Sequence, residues 1–362
     1  MSPILYENIV IHAAPEDYAT FPSIQVDADG DLYVTYRHAP NDLGGGRYSH
    51  IDVRSVALLK RSTDQGHTWQ LVGEPITGHL PQSGIQDPSL TILRNGDFLL
   101  TYFHWRHEPD HPLARQGAIF EGVWVRRSSD KGLTWGDPVY VPVDENTELG
   151  ISEPAIELAD GRLMLAGYAS IPAGGGQAAL VSFSSDQGDT WTTPQIVAHD
   201  PSGMIDFQEP ALLELKGGHI LCMMRAVDRH LTADDPDEAV RKRGQTAYMY
   251  QAHSWDNGQT WDAYTRTDMF GHPPNLIHLS DGRILCSYGY RRDPFGIRAC
   301  FSRDEGRTWD TENEIVFRTD GGGGDLGYPS SIELPSGDVL TSYYIHTKTD
   351  PDRHIEGTLW RP

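Results

Sequence analysis

The chain has 362 residues, of which 38% are hydrophobic, with 37 glycines and 24 prolines. This length supports a large buried core, and no run of about 20 apolar residues predicts a membrane span. The formal net charge of −22 disfavours binding to nucleic acid or to an anionic membrane. An acidic ligand would therefore need a pocket with its own positive charge.

The cysteines and the N-terminal sequence narrow the possible protein classes further. Cys222, Cys286 and Cys300 are odd in number and contain no CxxC spacing, so neither a disulfide framework nor a zinc knuckle is predicted. The opening sequence MSPILYENIVIHAA lacks a basic segment followed by an apolar one. We expect a cytoplasmic protein, or a secreted one if a signal peptide has been removed.

One octapeptide pattern, S-x-D-x-G-x-T-W, recurs along the chain. It predicts a hairpin turn in which aspartate accepts backbone N–H bonds, glycine supplies positive φ, and Thr-Trp starts the next strand and fills the core. These residues are interpreted as structural. The five copies are STDQGHTW (62–69), SSDKGLTW (128–135), SSDQGDTW (184–191), SWDNGQTW (254–261) and SRDEGRTW (302–309).

A second repeat precedes each of these turns: a residue X, a proline, an apolar strand and a turn glycine. The spacings between successive X residues are 66, 66, 56, 64 and 55. Units of this length, rich in short strands and turns, are typical of propeller blades. The six X residues are Phe21, Asp87, Glu153, Glu209, Pro273 and Tyr328.

Six X-Pro copies but only five octapeptide turns leave the last unit one strand short. The N-terminal segment ILYENIVIHAA precedes the first copy and can supply that strand, which would remove exposed sheet edges. The sequence therefore predicts an all-β, six-bladed β-propeller with five octapeptide turns, forming a single domain over residues 1–362.

In a propeller, the first strand of each blade lines the central channel. The six X residues should then form a ring at one mouth of the channel. Asp87, Glu153, Glu209 and Tyr328 would be its chemically active members.

Arginines should lie near the same level. Counting seven residues on from the turn glycine reaches Arg37 and Arg225, and Arg291 or Arg292 comes slightly later in the fifth unit. Buried arginine is rare unless it is paired, and guanidinium binds carboxylates bidentately. The set predicts either an anion pocket or a group of Arg–Glu pairs that bind no ligand.

These motifs resemble the sialidase (neuraminidase) superfamily, whose six-bladed propellers carry this octapeptide as the Asp box. The resemblance covers nearly the whole chain. The most specific stretch is EPALLELKGGHILCMMR, where Glu209 and Arg225 match a glutamate and an arginine of the family's substrate site. GYPSSIELPSG is similar to the segment with the tyrosine nucleophile, at Tyr328, and DPSLTIL places Asp87 near the pocket.

The resemblance implies a retaining exo-glycosidase that acts on a glycan with a terminal acidic sugar. Tyr328 would be the nucleophile and Glu209 its activating base. The acid, expected on the loop after Arg37, falls best on Asp52, with His50 and Asp42 as alternatives. The substrate-binding group would comprise Arg37, Arg225, Arg291, Asp87, Glu153 and His50.

Two departures from the family pattern bear on the substrate. Thr20 stands where sialidases start the first blade with an arginine, and Glu153 adds a carboxylate where they usually have a small residue. Another acidic sugar, a different exo-glycosidase specificity, a polysaccharide lyase and a non-hydrolytic glycan-binding propeller remain alternatives. No nucleotide-binding or H-E-x-x-H motif occurs, so we predict no cofactor and no metal. The oligomeric state is open.

Overall fold

A computed structural model describes residues 6–42, 50–107, 118–145, 147–171, 173–232, 238 and 248–362. These residues form 24 strands, arranged in six four-stranded antiparallel sheets. Each sheet is one blade of a propeller. The predicted all-β, six-bladed architecture is therefore confirmed.

The first three blades follow the N-terminal strand Tyr6–His12 (β1) in chain order, each from its innermost to its outermost strand. Blade 1 contains Asp17–Val26, Leu32–Pro40, Val56–Ser62 and Gln70–Leu71 (β2 to β5). Blade 2 contains Ser83–Ile92, Phe98–His107, Ala118–Ser128 and Val139–Tyr140 (β6 to β9). Blade 3 contains Ile156–Glu157, Leu163–Ala169, Ala178–Ser184 and Gln195–Ala198 (β10 to β13).

The remaining blades continue in the same order. Blade 4 contains Ile205–Glu214, Ile220–Asp228, Tyr248–Ser254 and Thr265–Phe270 (β14 to β17). Blade 5 contains Pro274–His278, Ile284–Tyr290, Gly296–Ser302 and Ile315–Arg318 (β18 to β21). Blade 6 contains Gly327–Glu333, Val339–Ile345 and His354–Trp360 (β22 to β24).

The helical elements that lie entirely within the described residues are one α-helical turn and two 3₁₀ turns. The α-helical turn is Arg229–Thr232, and the 3₁₀ turns are Lys216–Gly218 and Thr311–Asn313. In this part of the chain, no helix has the length and apolarity needed to cross a membrane.

The N-terminal strand completes the last blade, as predicted. β1 pairs antiparallel with β24 and gives blade 6 its fourth strand. The hydroxyl of Thr358 donates to Asn8 Oδ1 at 2.9 Å across this pair. The two ends of the chain are thus joined in one sheet, which closes the ring.

The five octapeptide turns share one set of contacts, illustrated by Ser128–Trp135. The Ser128 hydroxyl accepts the Gly132 N–H at 2.9 Å, and Asp130 accepts both the Thr134 N–H at 2.9 Å and its hydroxyl at 2.6 Å. The turn glycines have the predicted positive φ. One expectation was wrong in detail: Thr-Trp belongs to the turn, and in four of the five copies the next strand starts four to six residues after the tryptophan.

A β-bulge lies at the X-Pro pair of blades 1, 2, 4 and 6. In each, X and proline together oppose a single residue of the next strand, so the register shifts there. Proline is tolerated at a bulge because no ladder bond needs its missing N–H. The backbone of X is left-handed, with φ of 55° at Phe21, 44° at Asp87, 46° at Glu209 and 49° at Tyr328.

This left-handed geometry overturns a simple sequence expectation. A residue before proline prefers extended backbone, and Glu209 does not adopt it. Tertiary packing overrides the local preference at a cost of about 1–3 kcal/mol per residue. The bulge turns the X side chain out of the strand's regular alternation and toward its counterparts in other blades.

Apolar side chains from neighbouring blades pack together around the ring. One such cluster joins blade 6 to blade 1 and includes Ile9 and Ile11 of β1, Ile24 of β2 and Ile332 of β22. Val10, between the two isoleucines, faces solvent with 57% exposure. β1 therefore closes the ring with hydrophobic packing as well as with hydrogen bonds.

We predict that Ile11→Ala lowers the free energy of unfolding by about 2–5 kcal/mol, the usual cost of a buried isoleucine. The matched control Val10→Ala, on the opposite face of β1, should change it by less than about 0.5 kcal/mol. Denaturant unfolding of both variants measures the difference. Equal effects of the two substitutions would show that β1 does not seal the ring through its inner face.

Candidate active site

Tyr328 and Glu209 form the central contact of the site. They come from the bulges of blades 6 and 4, and the Tyr328 hydroxyl donates to Glu209 Oε1 at 2.5 Å. Both side chains are buried. Burial, followed by the charges of Glu209 and Asp87, raises the pKa of Tyr328 well above its usual value. The resting phenol is therefore protonated, with a carboxylate in place to take its proton.

Arg225 forms an ion pair with Glu209. Its Nη1 lies 2.9 Å from both oxygens of Glu209, and it is adjacent because β15 pairs Arg225 with Gln208. Burial alone would lower the pKa of Arg225, but Glu209 and the neighbouring Tyr328 together outweigh burial and raise it. Among the described residues, Nε and Nη2 of Arg225 donate to no protein acceptor, so they can meet a ligand.

Arg291 lies beside the tyrosine, as the sequence predicts for the fifth blade. Its guanidinium carbon is 5.7 Å from the centre of the Tyr328 ring. Nε donates to the carbonyl of Leu326 at 3.1 Å, whereas the buried Nη2 has no hydrogen-bond partner among the described residues. A buried donor without an acceptor lowers the stability of the fold unless a ligand or a water molecule accepts its hydrogen bond.

Arg37 is the most deeply buried of the three arginines, with no exposed surface. Its Nε donates to the carbonyl of Ile85 at 3.1 Å. Burial lowers the pKa of Arg37 to about 10, and Tyr18, Asp87 and Asp52 act in the opposite direction. It therefore lies among the acidic groups on the blade 1 and blade 2 side of the site.

Asp87 and Glu153 are two further buried carboxyl groups of the ring. Ser152 donates to Asp87 Oδ2 at 2.8 Å, and Asn275 donates to Glu153 Oε2 at 3.0 Å. Burial raises the pKa of each carboxyl to about 8, and mutual repulsion with Glu209 contributes to both shifts. Both groups are therefore largely neutral at pH 7.

Asp52, the predicted acid, lies in a strong ion pair. Arg54 Nη2 lies 2.6 Å from Asp52 Oδ2, and the Asp52 side chain has no exposed surface. Arg54 also binds the exposed alternative acid, Asp42, at 2.8 Å. To protonate a leaving group, Asp52 would have to turn away from Arg54, so its role remains a prediction.

His50, the other alternative, lies beside aromatic residues that border Tyr328. Its Nδ1 is 3.2 Å from the Tyr18 hydroxyl. Its ring is 5.4 Å from that of Phe21, which itself packs edge-on against Tyr328 at 4.6 Å. His50 thus borders the aromatic wall of the site.

Sequence reasoning missed Asp325, a hub that joins blades 1 and 6. Tyr18 donates to it at 3.1 Å, Tyr344 at 3.0 Å and Arg353 Nε at 2.9 Å. Although burial opposes it, Arg353 and then His50 and Arg291 lower the pKa of Asp325. The sequence feature that could have pointed to Asp325 is its position directly after four consecutive glycines and three residues before Tyr328.

The geometry therefore joins the predicted residues in two groups. Tyr328, Glu209 and Arg225 are in direct contact, and Arg291 lies against the tyrosine ring. Glu209 contributes to the raised pKa of Asp87 and of Glu153, and Arg37 is coupled electrostatically to Asp87. Asp52 is linked to it electrostatically, through Arg37.

Sequence comparison identifies the family. The BNR repeat-like domain family matches residues 113–341, more than half of the chain. A sialidase from Micromonospora viridifaciens is 26% identical over 349 residues, covering 87% of this chain and 48% of that protein. The chain thus spans about half the length of this curated relative.

Structure comparison gives the same fold. A protein of unknown function from Dyadobacter fermentans is 30% identical, with a TM-score of 0.83 and coverage of 98% of both chains. An alpha-L-arabinanase from Penicillium chrysogenum, solved with arabinobiose, has a TM-score of 0.72 at 16% identity, again over 98% of both chains. The chain belongs to the BNR repeat-like family, within the sialidase superfamily of six-bladed propellers.

Proposed function

We propose that this chain is a retaining exo-glycosidase that releases a terminal acidic sugar, such as a sialic or other ulosonic acid. The observation that carries the proposal is the buried 2.5 Å hydrogen bond from Tyr328 to Glu209, with Arg225 and Arg291 beside it. The relatives of stated activity reported above, a sialidase and an arabinanase, are glycoside hydrolases, which supports the class of reaction.

In the proposed reaction, Tyr328 attacks the anomeric carbon while its proton passes to Glu209 Oε1. The bond from the anomeric carbon to the leaving oxygen breaks, and an acid protonates that oxygen. Water then attacks the anomeric carbon and gives a proton to the conjugate base of the acid, while the tyrosyl oxygen leaves and recovers its proton from Glu209. A neutral phenol suits a carbon that bears a carboxylate, because a second carboxylate would be repelled from it, unlike in the usual two-carboxylate scheme.

The charge balance of the pocket supports an anionic substrate. With Asp87 and Glu153 neutral, the three arginines face one ionised ring carboxylate, Glu209, which leaves two positive charges in excess. The nearby ion pair of Asp325 with Arg353 is balanced, whereas Arg54 is shared between Asp52 and the exposed Asp42, so that group carries one negative charge and one positive charge remains in excess. A chain with a net charge of −22 thus keeps a locally positive site for an acid.

The departures from sialidases direct the choice of substrate within this class. Thr20 is completely buried and pairs with Arg37 across β2 and β3, so Arg37 is a buried arginine that blade 1 offers next to this position. Glu153 adds a neutral carboxyl group, which can donate a hydrogen bond to a substrate oxygen. We therefore infer an acidic sugar that differs from N-acetylneuraminic acid in the substituent facing blades 1 to 3.

A second candidate is an exo-glycosidase for a neutral sugar, with Glu209 as nucleophile and a protonated carboxyl group as acid. The raised pKa values of Asp87 and Glu153 favour it, since a general acid must hold its proton at neutral pH. In this mechanism the hydroxyl of Tyr328 would orient Glu209 and would not bond to the sugar.

We predict that Tyr328→Phe lowers kcat/KM for an acidic aryl glycoside by at least about 1,000-fold, because it removes the nucleophile and keeps the ring. The measurement is hydrolysis of a panel of aryl ulosonides, uronides and neutral glycosides. Tyr343→Phe is the matched control, because it also removes a buried tyrosine hydroxyl of blade 6, one that bonds to Thr358 and not to Glu209.

The panel separates the alternatives. Neutral substrates turned over by both the wild type and Tyr328→Phe, but not by Glu209→Gln, would favour the second candidate. Binding of acidic glycans without turnover of any substrate would favour the non-hydrolytic propeller. An unsaturated product, detected by its ultraviolet absorbance, would favour a lyase.

We predict that Arg291→Gln raises KM for the acidic substrate by about 10- to 100-fold, because a charge-assisted bond to the ligand is lost. Arg291→Lys should recover part of the loss by restoring the charge. Arg283→Gln, a control in the same blade, removes an arginine that pairs with Asp281 in the β18–β19 hairpin and should have no effect. An equal loss with neutral substrates would contradict an anion clamp.

We predict that KM for the acidic substrate rises about 10-fold as the pH passes upward through about 8. Asp87 and Glu153 have their pKa raised to about 8, so they are neutral below this pH and anionic above it, where they oppose an anionic ligand. Glu153→Gln stays neutral and still accepts from Asn275, so its rise should be smaller. An identical pH profile for wild type and variant would contradict this role.

A further inference from the structure

A cluster of two histidines and one aspartate lies where the propeller closes. His12 is the last residue of β1 in blade 6, Asp17 is the first residue of β2, and His38 lies near the end of β3 in blade 1. We call these three residues the seam cluster. Only four residues separate His12 from Asp17, so the cluster bridges the first and last blades at the point where the chain passes between them.

The seam cluster has the geometry of a metal site. His12 Nε2 is 2.9 Å from Asp17 Oδ2, and His38 Nε2 is 3.1 Å from Asp17 Oδ1. One nitrogen or oxygen of each residue lies within 4.8 Å of the others, and within the described part of the chain no other group of three histidine, cysteine or acidic residues is this close. The side chains are 16%, 20% and 26% exposed, so an ion can reach them.

A second observation comes from Tyr36, which packs beside the cluster. Its ring stacks on that of His12, with centroids 5.1 Å apart, and it is completely buried. Its hydroxyl has no hydrogen-bond partner among the described residues, although Asp17 is near enough to act on it electrostatically. A buried hydroxyl without a partner is uncommon, and a metal-bound water at the cluster would provide one.

We propose that His12, Asp17 and His38 bind a divalent transition-metal ion of the Zn²⁺ type, with water as a fourth ligand. Two imidazoles and a carboxylate form a donor set that this class of ion prefers. A tetrahedral ion with bonds of about 2.0–2.2 Å holds its ligand atoms roughly 3.3–3.6 Å apart. The histidine nitrogens lie 2.9 and 3.1 Å from the oxygens of Asp17, so small side-chain movements would bring the three ligands into this range.

The ion would cross-link the first and last blades. It would link His12 of blade 6 to Asp17 and His38 of blade 1, and so strengthen the joint that closes the ring. Because the folded chain offers the three ligands together and the unfolded chain does not, binding should raise the stability of the fold. The site is separate from the Tyr328 and Glu209 couple, so its role does not depend on the proposed function.

Lys60 supplies an internal test of this assignment. Its ammonium donates to the carbonyl of Ile11 at 2.8 Å and lies 3.3 Å from His12 Nδ1. A positive charge at this distance disfavours a cation at the cluster. Lys60→Met keeps the apolar stem and removes the charge, so it should bind the ion more tightly, whereas loss of a purely structural contact would not strengthen binding.

The experiment is calorimetric titration of the chelator-treated full chain with Zn²⁺, together with its thermal unfolding and the visible spectrum of the Co²⁺-loaded protein. We expect about one ion per chain, an upward shift of the unfolding midpoint and d–d absorption typical of a tetrahedral site. His12→Asn and Asp17→Asn should each weaken binding at least about 10-fold. His219→Gln, which alters a different buried histidine pair, should bind as the wild type does.

Three results would overturn the assignment. The first is a wild type that shows no saturable uptake of Zn²⁺ and no Co²⁺ spectrum, which needs no variant to fold. The second is uptake by His12→Asn and Asp17→Asn equal to that of the wild type. The third is loss of binding in His219→Gln with the seam variants unaffected, which would assign the ion to the other histidine pair.

Discussion

The bulge at the X-Pro pair is the constraint on which the site depends. A regular strand would alternate its side chains between the two faces of the blade. Two residues opposing one break this alternation and turn X toward the channel. The left-handed backbone that results is unfavourable for Glu209 and Tyr328. Packing of the surrounding blades compensates for the free energy of this backbone conformation. The backbone strain is thus located where the polar groups of the site meet.

Burial then decides the charges of those groups. Carboxyl groups that lose water and face other acids hold their protons, as Asp87 and Glu153 do. Glu209 instead lies against Arg225 and remains the countercharge of an ion pair. One ring therefore contains neutral acids and an ionised carboxylate at the same pH. The proposed anion binding and the proposed proton transfer from Tyr328 both require this division.

Ring closure is the second physical requirement of the fold. Each blade packs on its neighbours, so a weak joint at the seam would expose sheet edges and apolar surface. β1 supplies hydrogen bonds to β24 and buried isoleucines to the cluster between blades 6 and 1. The seam cluster lies at the same joint. The proposed ion would therefore strengthen the joint between the last and first blades, where the chain passes from β1 to β2.

The sequence by itself determined the blade count, the closing strand and the turn chemistry, because each follows from a local pattern repeated along the chain. It also identified Tyr328, Glu209 and Arg225 as a set, through the X-Pro rhythm and the motif that resembles sialidases. Their 2.5 Å contact follows from the equivalence of the blades, which brings residues at the same repeat position to one mouth.

Only the tertiary structure decided the left-handed backbone before proline, which contradicts the local preference. The same holds for contacts between non-equivalent positions. Asn275 reaches Glu153 from a blade that is not its neighbour, Asp325 gathers tyrosines from two blades, and His12 meets His38 across the seam. Such contacts depend on how six sheets are tilted and spaced around the channel, and no pattern within a single repeat carries that information.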